Sequence, residues 1–159
     1  MDIWEANKAA TAVTPHPCTV TRQKRCMTPA DCGEGALGDE SFCDRPGCDM
    51  QTYRLGDPSF YGDGPTFGVD TSRPFTVVTR FVTEDGTDTG KLHEIRRHYM
   101  QDGKRIPSPM LPVGPTASFD SITDDFCDVR QLVSTLCPLR RPIHPCCPPC
   151  LPCAHPENL

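Results

Sequence analysis

Residues 75–83 read Phe-Thr-Val-Val-Thr-Arg-Phe-Val-Thr, and residues 92–101 read Leu-His-Glu-Ile-Arg-Arg-His-Tyr-Met-Gln. β-Branched and aromatic side chains dominate the first run, and both have strand length, so two long strands are predicted. The first has faces Phe75/Val77/Thr79/Phe81 and Thr76/Val78/Arg80/Val82; the second places Ile95 and Tyr99 on one face. Asp102-Gly103 follows at once. That pair marks a two-residue hairpin turn, because both central positions of a type I′ turn need positive φ. Residues 104–106 then begin a return strand. Residues 62–65 and 84–90, rich in Gly, Asp and Pro, read as loops. No segment shows a convincing amphipathic helical pattern. The expected fold class is therefore all-β, built from short antiparallel strands, as in a β-sandwich or jelly roll. Four or five strands are few for a closed sandwich. An incomplete one is expected, with apolar faces such as Phe75/Val77/Phe81 uncovered.

The remaining composition narrows the class further. No run approaches 18 apolar residues, so no membrane-spanning helix is expected. A net charge of −5 argues against a nucleic-acid partner. Eleven cysteines in 159 residues point to an oxidising compartment. Yet the opening MDIWEANKAATAVTP lacks the basic start and apolar core of a signal peptide. Together these features read as part of a longer secreted protein. All 12 glycines lie before residue 115, whereas residues 129–159 hold seven prolines and five cysteines. Two segments are expected: 1–128, and a disordered Pro/Cys-rich tail over 129–159. Cys147, Cys150 and Cys153 have metal-ligand spacing, but no further ligand pair completes a zinc site, so no metal is expected.

Asp2 and Glu5 are the candidate catalytic groups. They stand three residues apart in a stretch that favours a strand, and strict alternation would send them to opposite faces. A β-bulge between them would bring both to one face. Two carboxyls on one sheet face suit glycoside hydrolysis, in which one protonates the leaving oxygen while another attacks or supports the attacker. On spacing alone, two solvated charges near a terminus are the plainer reading.

The motifs go further. Asp2-Ile-Trp-Glu-Ala-Asn7 followed by Thr14-Pro-His-Pro-Cys18 resembles the active-site strand of glycoside hydrolase family 7, the secreted cellobiohydrolases and endoglucanases. In order come Cys43-Asp-Arg-Pro-Gly-Cys-Asp49, Tyr53-Arg-Leu-Gly56, Ser59-Phe-Tyr-Gly62, Phe75-Thr-Val-Val-Thr79, Ile95-Arg-Arg-His-Tyr99 and Asp124-Asp-Phe-Cys127. The resemblance covers 1–128. It implies part of a concanavalin A-like jelly roll that hydrolyses the β-1,4-glucosidic bonds of cellulose with retention. It also implies an extracellular monomer that needs no metal or organic cofactor and takes cellulose or β-1,4-glucan chains as its partner. Glu5 matches the general acid/base, and Asp2 the carboxyl that supports the nucleophile. The family's nucleophilic Glu stands two positions before Asp2, outside these 159 residues, so little or no hydrolysis is expected from them alone. His16 matches a histidine near the acid/base, and Asp49 and Arg54 match polar contacts to the leaving sugar. Trp4 is expected to pack within the sheet.

Six cysteines allow 15 connectivities, and spacing alone leaves them open. The resemblance implies Cys18–Cys43, Cys26–Cys32 and Cys48–Cys127. Arg45-Pro46 replaces an acidic residue often found between Cys43 and Cys48 in the family, which bears on product-side binding. Two other classes fit less of the sequence: a non-catalytic carbohydrate-binding remnant, and a small Cys-rich secreted interaction protein.

Overall fold

The computed structural model describes residues 1–20, 22–31 and 41–136. In chain order the strands are β1 (Asp2–Ala6), β2 (Thr11–Thr14), β3 (Met50–Gln51), β4 (Tyr61–Gly62), β5 (Val69–Asp70) and β6 (Thr76–Thr83). There follow β7 (Leu92–Gln101), β8 (Lys104–Pro107), β9 (Leu111–Val113), β10 (Ala117–Phe119) and a helix, α1 (Asp124–Leu136). Strands β1–β2–β3 and β6–β7–β8 form two three-stranded antiparallel sheets. β9 pairs with β10, and the short β4 and β5 run parallel. The fold is all-β, with one helix among the described residues. The β7–β8 connection is the Asp-Gly turn expected from sequence: Asp102 has φ 51° and Gly103 φ 73°.

β7 organises the interior. Its inward face carries Ile95, Arg97, Tyr99 and Gln101, all buried. Ile95 joins an apolar cluster with Val13, Met50, Leu55, Leu111, Val113, Ile122 and Phe126. Tyr99 joins a second cluster with Phe60, Tyr61 and Val69, flanked by Phe75, Val77 and Ile106. Between the two lies Arg97, a charge on an otherwise inward-facing row. Phe75 and Val77 are thus partly covered, while Phe81, further along the same face of β6, remains 47 % exposed. Trp4 contacts Tyr61, Phe75 and Tyr99, with ring centroids 6.2–6.3 Å apart, so it packs onto the second cluster while keeping one edge open.

The expectation of no amphipathic helix is overturned by α1. Its start has a local cause. The Phe126 amide donates to the Thr123 hydroxyl at 3.2 Å, an N-cap, and Asp124 and Asp125 place negative charge at the positive end of the helix dipole. Phe126, Val129 and Val133 recur at i, i+3 and i+7 and turn inward. Phe126 is fully buried, and Val129 packs on its cluster. The composition change at 128 therefore falls inside a helix, and ordered structure continues beyond it.

Among the described residues two disulfides anchor these parts. Cys18 bonds Cys43, and Cys48 bonds Cys127, tying the entry to β3 to α1. The pair Cys26–Cys32 and the Cys-rich tail lie outside the described residues, because Cys32 and 137–159 do.

Candidate active site

The register of β1 against β2 is interrupted where the chemistry sits. Asp2 lies opposite Thr14 and Glu5 opposite Ala12, so Ile3 and Trp4 together face the single residue Val13. This is a β-bulge. It cancels the alternation that would separate Asp2 from Glu5, and both carboxyls line one cleft of about 720 Å³. His16, Asp49 and Arg54 line the same cleft. All five candidate site residues therefore come together.

Each carboxyl has a fixed neighbour. The Thr14 hydroxyl donates to Glu5 Oε2 at 2.5 Å. His16 Nε2 lies 2.8 Å from Asp2 Oδ2, and His16 Nδ1 lies 2.9 Å from the Asp44 carbonyl. A carbonyl only accepts, so Nδ1 carries a proton. The Asp2 carboxylate also accepts, so the arrangement is complete when Nε2 is protonated too. The hydrogen bond to Asp2 accordingly raises the His16 pKa despite partial burial. The same bond lowers that of Asp2. Below the raised pKa of His16 the site presents an imidazolium–carboxylate pair beside Glu5.

Gly47 makes room for this pair. Its φ is +70°, and a Cβ there would stand 2.6 Å from Thr14 Cγ2 and 2.8 Å from the His16 ring. The glycine of the Cys43–Asp49 motif is therefore needed both for its left-handed backbone and for the space it leaves.

At the other end of the cleft Asp49 is bracketed by two guanidiniums. Arg54 pairs with its Oδ2, and Arg130 donates to Oδ1 at 2.6 Å. Burial pushes the Asp49 carboxyl up, but the two arginines outweigh it and hold the group below the ordinary value. Arg130 was not among the residues singled out from sequence, because it follows the composition change at 128. The Thr123 cap and the Phe126/Val129/Val133 stripe were the signals that would have placed it on a helix. Thr14 and Gln51 also line the cleft; the buried Gln51 Oε1 has no hydrogen-bond partner among the described residues.

Comparison with known proteins identifies the family. Residues 1–135 match the family model for glycosyl hydrolase family 7. The chain belongs to that family. It is similar to a family 7 cellobiohydrolase from Daphnia pulex, with 45 % identity and a TM-score of 0.71, covering 84 % of this chain and 30 % of that one. The native endocellulase of Humicola insolens shares 37 % identity at a TM-score of 0.67, over 80 % of this chain and 30 % of that one. A cellobiohydrolase from Melanocarpus albomyces complexed with cellotetraose shares 33 % identity at a TM-score of 0.63, over 87 % and 29 %. The chain thus spans about three-tenths of the length of these relatives, and its strands are part of the family's jelly-roll β-sandwich. Among the described residues no helix is long and apolar enough to cross a membrane.

Proposed function

We propose that these residues form the acid/base side of a retaining β-1,4-glucanase site, extracellular and acting on cellulose or related glucan chains. Glu5 protonates the leaving glycosidic oxygen and then deprotonates the incoming water. Asp2, held by His16, supports the carboxylate that attacks the anomeric carbon. In the family pattern that nucleophile precedes Asp2 by two positions and is not among the 159 residues. These residues bind the glucan chain and supply the acid/base half of the chemistry, the attack coming from that separate carboxylate. His16, Asp49 and Arg54 supply directional polar contacts on the leaving-group side, as hydroxyl-rich sugars require. The division at residue 128 does not stand as drawn: α1 carries the partial catalytic domain on to Leu136, and only the Pro/Cys-rich segment after it is proposed as a separate part.

The observation that carries the reading is the bulge that turns Asp2 and Glu5 into one cleft. Calorimetry with cellotetraose and maltotetraose tests it. The reading predicts binding of the β-1,4-linked chain and at least tenfold weaker binding of its α-1,4 isomer. Equal affinity for both, or heat from neither, would contradict it.

A further inference from the structure

Arg97 is 9 % exposed and sits at the centre of the inward face of β7. Among the described residues no carboxylate pairs with it. Its partners are instead neutral oxygens: two backbone carbonyls of the β1–β2–β3 sheet and side-chain hydroxyls of its own sheet, Thr79 and Tyr99. One guanidinium nitrogen, Nη2, donates to the Ile3 carbonyl, and Nη1 donates to the Ala12 carbonyl at 3.3 Å. Nε meets the Thr79 hydroxyl of β6 at 3.3 Å. The guanidinium carbon lies 5.3 Å from the centre of the Trp4 ring.

These partners are not scattered. Ile3 and Trp4 are the two residues of the bulge, and Ala12 is the register partner of Glu5. A bulge removes backbone groups from the ladder, and a buried carbonyl left unpaired is costly. A guanidinium has several donors in a rigid planar fork and remains charged when buried. It can serve carbonyls on both β1 and β2 while its face lies against Trp4. An ammonium presents its donors from one point and cannot span the same oxygens in that way.

We propose that Arg97 is the positioning residue of this site, acting from the far side of the sheet to hold the β1 bulge that sends Asp2 and Glu5 into the cleft. It touches no reacting group. The proposal rests on the glucanase reading for its functional meaning, but the geometry it asserts is measurable without substrate.

The reporter is the titration of His16 in the full 159-residue chain, followed by NMR. His16 faces Asp2 on β1 and the Asp44 carbonyl, with the amino terminus nearby. Asp2→Asn fixes the value the ring takes without its carboxylate partner. Arg97→Met keeps length and apolar bulk but removes both carbonyl contacts. Its His16 midpoint is expected to fall most of the way from the wild-type to the Asp2→Asn value. The cross-strand NOEs between Tyr99 and Ile106 should persist meanwhile, since β7 pairs β8 independently of Arg97. Should the Met variant not fold, Arg97→Lys decides the matter. It keeps the charge and stem, and a midpoint lowered by a measurable part of the same interval is expected. A wild-type His16 midpoint in either variant, with the hairpin intact, overturns the proposal. Adding cellobiose to the wild-type sample separates the two claims. If no cleft resonance moves, the glucanase reading fails while the Arg97 result stands on its own.

Discussion

His16 Nε2 stands 2.8 Å from Asp2 Oδ2 while its other ring nitrogen is committed to the Asp44 carbonyl. The contact makes stability depend on pH from both sides. The His16 pKa is raised above its unfolded value of 6.5, so its contribution is complete below 6.5 and is lost as pH rises through the folded value. The Asp2 pKa is lowered below 3.8, so its contribution is complete above 3.8 and is lost as pH falls through the folded value. The pair is therefore fully formed between about pH 4 and 6.5. Chemical denaturation from pH 6 to pH 8.5 should show stability declining in the wild type and declining less in Asp2→Asn. Parallel curves for the two proteins would remove His16–Asp2 as the cause.

Gly47→Ala should damage the site out of proportion to its size. A non-glycine residue in the left-handed region costs about 1–2 kcal/mol before any clash is counted. The added methyl also meets Thr14 Cγ2 and the His16 ring at under 3 Å. A loss of about 2 kcal/mol or more is expected, with the His16 midpoint displaced toward that of a free imidazole. Normal stability together with a normal His16 titration would show that the loop relaxes at little cost.

The disulfides Cys18–Cys43 and Cys48–Cys127 should differ in their effect. The chain-entropy model gives roughly 3.5 kcal/mol for Cys18–Cys43, with a sequence separation of 25. For Cys48–Cys127, with a separation of 79, it gives roughly 4.5 kcal/mol. Replacing Cys48 and Cys127 together by Ala should also loosen α1, seen as faster amide exchange from residue 124 onward. Replacing Cys18 and Cys43 should leave α1 exchange unchanged. Identical exchange profiles for the two double variants would refute this division.

Phe126 is fully buried and stacks edge-on against Phe119, with ring centroids 5.5 Å apart. Phe126→Ala should cost about 3–5 kcal/mol. Because the same cluster holds Val13 of β2 and Ile95 of β7, the loss should lower the melting transition of the whole chain. A separate early melting step confined to the helix would contradict that coupling.

The strands were legible because their signal is local. β7 and the Asp102-Gly103 turn follow from alternation and from the φ that an aspartate and a glycine accept, and no distant residue is needed to read them. The bulge could be stated only conditionally, since register depends on what β2 offers opposite, and Val13 facing both Ile3 and Trp4 is a tertiary fact. The same holds for Arg97. In sequence it is one of two adjacent arginines on a strand, and nothing local shows that it turns inward while Arg96 stays exposed and pairs with the buried Glu94 carboxyl. α1 was missed for the opposite reason. Its cap and apolar stripe were visible, but the abrupt rise in proline a few residues on drew the boundary too early. Asp49 was read from a motif, whereas its second cation, Arg130, arrives from 81 residues away.

The central claim is that a β-1,4-glucan enters the cleft shared by Asp2 and Glu5. Intermolecular NOEs between cellotetraose and isotope-labelled protein test it directly. The account predicts contacts from sugar ring protons to the side chains of Glu5, His16 and Arg54, with none to the outer edge of Trp4 or to Phe81 on β6. NOEs confined to those exposed aromatic rings, with the cleft silent, would show that the sugar binds an apolar face and that the paired carboxyls are not its site.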